Sequence, residues 1–190
     1  MKRLMVVEDE SIVRLDLVMM LQDSRYDVVA QAGDGEKAVE LAYSYRPDLV
    51  IMDIKMPKLN GLKASEIISN TFQIPVVLLT AYSQSEYIDK AKKANILGYL
   101  IKPVTEASLI PAVEIALRQA ENANIYKEKL EEMNVQLENR KRIEKAKGIV
   151  MKHFHLTEDA AYKKIRRISM NKQMPIERVA KHIIIKYKDK

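Results

Sequence analysis

The sequence contains no cysteine. Disulfides and thiolate metal sites are therefore excluded. No apolar run approaches the roughly 18–20 residues that a membrane-spanning helix needs. The opening Met1-Lys2-Arg3-Leu4 passes straight into a short apolar run, without the longer hydrophobic stretch and small-residue cleavage site of a signal peptide. A cytoplasmic location and no membrane partner are the expectation. Low-complexity tracts and internal repeats are absent as well. What is present is 190 residues, 47% hydrophobic and 31% charged, a balance that fits a soluble globular protein. The length suits one domain of ordinary size followed by a small second one.

The net charge of +6 hides a gradient. Residues 1–118 carry 14 Lys and Arg against 16 Asp and Glu, whereas residues 119–190 carry 18 against 10. Within 140–190 the count is 16 against 5, a surplus of 11 positive charges. Such asymmetry points to contact with a polyanion, although a solvated, lysine-rich helix surface produces the same count.

Up to about residue 105, short apolar runs at 4–7, 28–30, 49–52, 76–79 and 99–101 alternate with helical stretches. Several runs are continuous, as in strands covered on both faces. The helical stretch holding Ile12, Val13, Leu15, Leu17, Val18, Met19 and Leu21 is apolar around much of its surface. Ala38-Val39-Leu41-Ala42 and Ala64-Ile67-Ile68 form clearer stripes. Strands alternating with helices predict an α/β fold, a doubly wound five-stranded parallel sheet with right-handed crossovers.

After Pro103, Thr105 can cap a long helix, with Pro111 expected to bend it near its start. From Ala116 the pattern becomes heptad-like. Ala116, Ala123, Leu130 and Leu137 share one seam position, Tyr126 and Met133 the other, and Gln119 and Arg140 interrupt it. The reading is a coiled-coil connector over 119–140 that pairs two chains; a single amphipathic helix on its own domain is the alternative. The remainder, 141–190, reads as a three-helix domain. Its stripes are Ile143-Ala146-Val150-Phe154, then Ala161-Ile165-Ile168 after a Thr157 cap, then Ile176-Val179-Ala180-Ile183-Ile184-Tyr187 after a break at 171–175. Helices this short must pack on each other.

The residues that end the apolar runs are chemically coherent. Glu8, Asp9 and Glu10 follow the first, Asp53 ends the third, Thr80 the fourth and Lys102 the fifth. Doubly wound sheets bind ligands at the carboxyl ends of their strands, near the switch in strand order. Glu8, Asp9 and Asp53 thus offer oxygen ligands to a hard cation, best Mg²⁺. Asp53 can attack phosphorus and form an acyl phosphate. Lys102 can neutralise one phosphoryl oxygen while Thr80 hydrogen-bonds another. An aspartate-nucleophile phosphatase of similar architecture would want an acid two residues after the nucleophile, where this chain has Lys55. A slow phospho-switch, and not an enzyme, is therefore expected.

Val7-Glu8-Asp9-Glu10, Met52-Asp53-Ile54-Lys55-Met56-Pro57, Asn60-Gly61, Leu79-Thr80-Ala81 and Gly98-Tyr99-Leu100-Ile101-Lys102-Pro103 resemble the response-regulator receiver domain, over residues 1 to about 120. The resemblance implies Asp53 as phosphoacceptor and Glu8 with Asp9 as the acidic pocket. It implies that Lys55 lends its backbone carbonyl to Mg²⁺. Thr80 becomes the switch hydroxyl, Tyr99 the switch aromatic, and the bond before Pro103 cis. A sensor histidine kinase is the implied partner.

In the basic tail, Arg142, Lys145, Lys147, Lys163, Arg166 and Arg167 are candidate nucleic-acid contacts, with Tyr162 able to stack on a base. Lys163, Arg166 and Arg167 fall opposite the stripe 161, 165 and 168. These residues alone leave open a DNA-binding helix-turn-helix or an RNA-loop binder. Arg142-Ile143-Glu144-Lys145-Ala146-Lys147-Gly148-Ile149-Val150-Met151 and Thr157-Glu158-Asp159-Ala160-Ala161-Tyr162, with Ile165-Arg166 and Val179-Ala180, resemble the ANTAR domain of transcription antitermination regulators. Ser169 stands where that family often has alanine. The resemblance implies binding of paired RNA stem-loops in a leader transcript, which blocks a terminator hairpin. The chain order of phosphosite, heptad connector and basic module points to a homodimer formed on phosphorylation. The receiver-first layout is similar to that of ethanolamine-utilisation antiterminators. His153, His155 and His182 read as surface or packing residues, and the methionines as core filler.

Overall fold

The structure, a computed structural model, describes residues 1–81 and 96–187. The chain divides into two compact units, Met1–Asn124 and Ile125–Lys190. The first holds five strands: β1 (Arg3–Val7), β2 (Asp27–Ala32), β3 (Leu49–Asp53), β4 (Val76–Thr80) and β5 (Ile96–Ile101). Between them run α1 (Ser11–Asp23), α2 (Gly35–Tyr45) and α3 (Gly61–Phe72). The sheet order is β2-β1-β3-β4-β5, and every pairing is parallel. The expected doubly wound α/β sheet is therefore present. Strand order reverses between β1 and β3, so the crevice beyond their carboxyl ends is where a ligand site belongs.

The continuous apolar runs have a simple cause. Successive strand side chains point to opposite faces, and both faces are covered. Met5, Val7, Val50, Met52, Val76 and Leu78 pack with Ala38 and Ala42 of α2 and Leu62, Ala64 and Ile68 of α3. Leu4, Val6, Leu49, Ile51, Val77 and Leu79 pack on the other face with Leu17, Val18 and Leu21 of α1. Each fully buried side chain of this kind contributes roughly 1.5–3 kcal/mol. Two strands are longer than the apolar runs suggested: β2 begins at Asp27 and ends at Ala32, and β5 begins at Ile96. Both are edge strands in this sheet, where half-exposed positions admit residues such as Asp27, Gln31 and Gly98 that break an apolar count. In α1, Ile12, Leu15 and Met19 are exposed, so only one side of that apolar helix is core.

The layer begun by α1 is completed by α4 (Glu106–Phe154), a 49-residue helix. It starts where expected. Leu109 N–H donates to the Thr105 carbonyl at 2.8 Å, and the Ser108 hydroxyl accepts from Thr105 N–H at 3.1 Å. Pro111 sits inside the helix without ending it. Leu109, Val113, Ala116 and Leu117 are buried against the sheet. Ala116 therefore belongs to this core and not to the heptad seam it was expected to head. From Glu121 to Glu138 every residue of α4 is exposed, including Ala123, Tyr126, Leu130, Met133 and Leu137.

In the second unit, the last turns of α4 pack with α5 (Glu158–Asn171) and α6 (Ile176–Lys186). Thr157 caps α5: its side chain accepts from Ala160 N–H at 3.4 Å, with Glu158 and Asp159 in the first turn. That placement suits the helix dipole. Ala146, Val150, Ala161, Ile165, Val179 and Ala180 form the buried centre, flanked by Ile143, Ile168, Ile176, Ile183 and Ile184. The three apolar stripes thus meet as expected, with two corrections: Tyr187, just past the end of α6, and Phe154 lie outside this centre and pack with rings. Phe154 is 39% exposed and packs with other rings, because the helix ends there and the chain turns at His155, whose φ is +50°. Ser169 donates its hydroxyl to the Met174 carbonyl at 2.6 Å, tying α5 to the turn before α6. Alanine could not make this bond.

Candidate phosphoryl site and basic unit

Each acidic side chain is delivered by a strand end. Glu8 follows β1, and its N–H donates to the Ala32 carbonyl of β2 at 3.1 Å. The Arg14 guanidinium donates to the Glu8 carbonyl. These bonds fix the backbone while the Glu8 carboxylate points inward, fully buried. Asp53 closes β3 and is also buried. The next residue, Ile54, donates its N–H to the Leu79 carbonyl at 3.1 Å and accepts from Gly61 N–H at 3.0 Å. Gly61 is at this position because nothing larger fits. A Cβ there would lie 1.8 Å from the Asp53 carbonyl oxygen. Its φ is not positive, so close approach and not backbone freedom is the constraint.

Lys102 joins the two acids. Its ammonium lies 2.7 Å from Glu8 Oε2 and 3.1 Å from Asp53 Oδ2, and its backbone N–H donates to the Thr80 carbonyl at 2.8 Å. The Lys102-Pro103 peptide is cis, as the receiver resemblance implied. One ligand oxygen each from Glu8, Asp9 and Asp53 lies within 4.8 Å of the others. Asp9 is the exposed member, facing a groove of about 740 Å³ lined also by Ile54, Lys55, Met56, Asn60 and Lys63. Tyr99 lies on β5, opposite Leu78, and is about half exposed. A shift of Thr80 and Tyr99 is expected to alter the face built by residues 83–118, of which 83–95 lie outside the described residues.

The electrostatics follow from burial. Desolvation pushes the Glu8 carboxyl up, the Lys102 ion pair pulls it down, and the Asp53 charge pushes it up again; the balance is above the ordinary carboxylate range. Burial works against the Lys102 ammonium, but Glu8 and Asp53 outweigh it and raise its pKa. Lys102 therefore stays cationic. The Lys102 charge apart, buried Glu8 Oε2 accepts no hydrogen bond. A buried, under-satisfied carboxylate oxygen beside two more carboxylates is the donor set of a small hard cation, so these residues fit Mg²⁺.

Two supports were not anticipated. Arg14 is one. The other is a clasp between α2 and the loop that follows β3. Asp34 caps α2 by accepting from Lys37 N–H at 2.9 Å, and it pairs with Lys58 at 2.7 Å. Gly35 donates its N–H to the Leu59 carbonyl at 3.2 Å, and a Cβ on Gly35 would come within 2.2 Å of that oxygen. The Asp34-Gly35-Glu36 run before a helical stripe is an N-cap signal that sequence reading can find. Its tie to Lys58 is a long-range contact and leaves no local signal.

The sequence matches the family described as response regulator receiver domain over residues 4–114. It matches the ANTAR domain over residues 131–184. This chain belongs to the response regulators, with an ANTAR domain in its C-terminal part. The transcriptional regulatory protein PdtaR of Mycobacterium tuberculosis is 38% identical over 183 residues, covering 96% of this response regulator and 89% of PdtaR. The transcriptional regulatory protein DegU of Brevibacillus brevis is 33% identical over 115 residues, 60% of this chain and 49% of DegU. Among solved structures, the N-terminal domain of a response regulator/sensory box/GGDEF protein from Carboxydothermus hydrogenoformans is similar at 32% identity. Its TM-score is 0.58, over 65% of this chain and 99% of that one. The receiver domain of a modulated diguanylate cyclase from Desulfovibrio desulfuricans reaches a TM-score of 0.61 at 28% identity, over 65% and 98%. Among the described residues no helix is long and apolar enough to cross a membrane.

In the basic unit of this response regulator, Arg142, Lys145, Tyr162, Lys163, Arg166 and Arg167 are exposed. Lys163 is paired with Asp159 at 2.6 Å. Lys147 is different. Its side chain is only 11% exposed, held 2.8 Å from Glu144 and 2.7 Å from Glu158, and these acids raise its pKa. It fastens α4 to the start of α5.

Proposed function

We propose that this protein is a phosphorylation-controlled transcription antiterminator of the cytoplasm, and not a turnover enzyme. Residues 1–118 serve as the receiver, 119–140 as a coiled-coil connector and 141–190 as the RNA-binding domain. The observation that carries the reading is the ammonium of Lys102 bridging Glu8 and Asp53, with Asp9 in ligand range, in a chain that also matches the ANTAR domain.

A carboxylate oxygen of Asp53 attacks the phosphorus of a phosphohistidine on a sensor histidine kinase. The new bond is an acyl phosphate, and the bond from phosphorus to the donor nitrogen breaks. Glu8, Asp9, Asp53 and the Lys55 carbonyl would hold Mg²⁺, which would supply neutralisation of the phosphoryl charge. Lys102 neutralises another phosphoryl oxygen, and Thr80 hydrogen-bonds a further one. Tyr99 turns inward with Thr80, altering the face that 83–118 contributes to. Two receivers then pair, and the exposed stripe Ala123, Tyr126, Leu130, Met133 and Leu137 is covered by its counterpart. Two basic domains held together grip paired stem-loops of a leader transcript and prevent terminator formation. Linking the two contacts raises affinity through effective concentration. Arg142, Lys145, Lys163, Arg166 and Arg167 meet phosphates, with Tyr162 beside them, while Lys147 keeps α4 and α5 in register.

The test is a gel shift comparing a leader RNA with promoter DNA, with and without beryllofluoride, alongside mass by light scattering. Tighter RNA binding and a doubled mass with beryllofluoride support the proposal. Preference for DNA supports a phosphorylation-controlled DNA-binding regulator. An unchanged mass together with unchanged RNA affinity defeats the coupling.

A further inference from the structure

The C-terminal unit carries an aromatic cluster that its aliphatic core does not use. Phe154 meets His153 edge to face, with ring centroids 4.8 Å apart at 83°. His153 lies 4.6 Å from Tyr187, and Phe154 is 6.5 Å from Tyr187. The Lys164 ammonium sits 3.5 Å from the Phe154 ring centroid, and that of Lys186 is 5.7 Å from the Tyr187 ring. Three chain segments converge here: the end of α4, the middle of α5 and the end of α6.

The surrounding charge is one-sided. Glu158 and Asp159, the acids that open α5, are engaged by Lys147 and Lys163. Among the described residues, Lys164 and Lys186 have no carboxylate partner. Ring surface reaching solvent beside uncompensated ammonium groups is the chemistry that binds unpaired nucleotides: rings stack on bases and cations meet phosphates. A continuous A-form stem keeps its base faces stacked on one another and offers none to a protein ring.

We infer that Phe154, His153 and Tyr187, rimmed by Lys164 and Lys186, form a stacking platform for an unpaired base in an RNA hairpin loop. This rests on the RNA-binding reading above and deepens it. The exposed arginines and lysines neutralise phosphates whether or not bases are paired, and the rings distinguish loop from stem.

The experiment uses the full chain with Mg²⁺ and beryllofluoride at low salt. The probes are a pool of RNA hairpins with a randomised loop and an uninterrupted duplex of the same stem sequence. A second hairpin pool carries 2-aminopurine at one loop position. Phe154→Leu keeps an apolar side chain while removing the π face, and a thermal melt checks that it folds; His153→Ala, at an exposed site, repeats the comparison independently. The wild type binds the hairpin pool more tightly than the duplex and quenches 2-aminopurine. Phe154→Leu loses about tenfold in hairpin affinity, equivalent to about 1.4 kcal/mol, loses the quenching and binds the duplex unchanged. Equal wild-type affinity for hairpin and duplex overturns the platform, as does a folded Phe154→Leu that keeps full preference and quenching. Failure of the wild type to bind either RNA overturns the RNA-binding reading itself, and the platform with it.

Discussion

Gly61→Ala is the sharpest test of how the acidic site is built. The added methyl carbon would stand 1.8 Å from the Asp53 carbonyl oxygen and 2.8 Å from its carbon. Carbon and oxygen do not approach below about 3.0 Å, so the β3 end and the start of α3 must separate by more than about 1 Å. The Gly61 N–H to Ile54 carbonyl bond at 3.0 Å is stretched by that movement, and Asp53 shifts relative to Glu8 and Lys102. A misplacement of this size costs about 100-fold in a reaction that depends on positioning. The assay is phosphorylation of Asp53 from a small phosphodonor with Mg²⁺, read by mass spectrometry over time. Gly98→Ala is the control, because a Cβ there meets nothing within 4 Å. The expected result is a roughly 100-fold slower Gly61→Ala and a near-normal Gly98→Ala, with both proteins folded by circular dichroism. A folded Gly61→Ala that is phosphorylated at the wild-type rate refutes the claim that this glycine sets the position of Asp53.

Lys102→Met leaves Glu8 and Asp53 buried without their cation, which costs roughly 3–5 kcal/mol when a buried pair is broken; urea unfolding measures it, and a loss below about 1 kcal/mol would contradict the role of the ammonium. Because the Glu8 pKa is raised in the folded state, protonation of Glu8 favours the fold and opposes the cation. Mg²⁺ affinity therefore falls as pH drops from neutral, beginning above the ordinary value of 4.5; calorimetric titration at pH 7 and pH 5 checks this, and equal affinities would count against Glu8 as a ligand. Thr157→Ala removes the α5 cap and costs about 1 kcal/mol, visible as a lower melting temperature of the C-terminal unit. Glu158→Gln frees one side of the Lys147 clasp at an exposed position and leaves the melting temperature nearly unchanged, so a large loss of RNA affinity there would mark the α4–α5 junction as part of the interface.

Much of the fold was legible because period and burial coincide. Runs such as Leu49 to Met52 are apolar throughout since α1 and α4 cover one face of the sheet and α2 and α3 the other. The acids were legible as a group because each sits at a strand terminus, and parallel strands in one sheet bring those termini to a common edge. Lys102 emerges 49 residues after Asp53 in the sequence yet lies 3.1 Å from it. Less legible were features set by contacts between distant residues. Ala116 looks like a seam residue by spacing, but the sheet claims it before a partner helix can. Phe154 continues a stripe by spacing, but the helix terminates beneath it and the ring falls beside His153 and Tyr187. Lys147 reads as one more cation in a basic run, and only the fold reveals Glu158 alongside it. Ser169 differs from its family's usual alanine without any clue in the sequence that a carbonyl waits five residues on.

The half-buried Lys102 has a consequence for when the protein can respond. Three carboxylates against one ammonium leave the pocket with two surplus negative charges, and an incoming phosphoryl group is itself anionic. In the proposed mechanism the pocket alone would repel a phosphoryl group bound for Asp53, and a divalent ion would balance the surplus. Such a receiver would act as an AND gate, admitting a signal only when donor and divalent ion are present together, with the Lys102 ammonium holding Glu8 and Asp53 together until then.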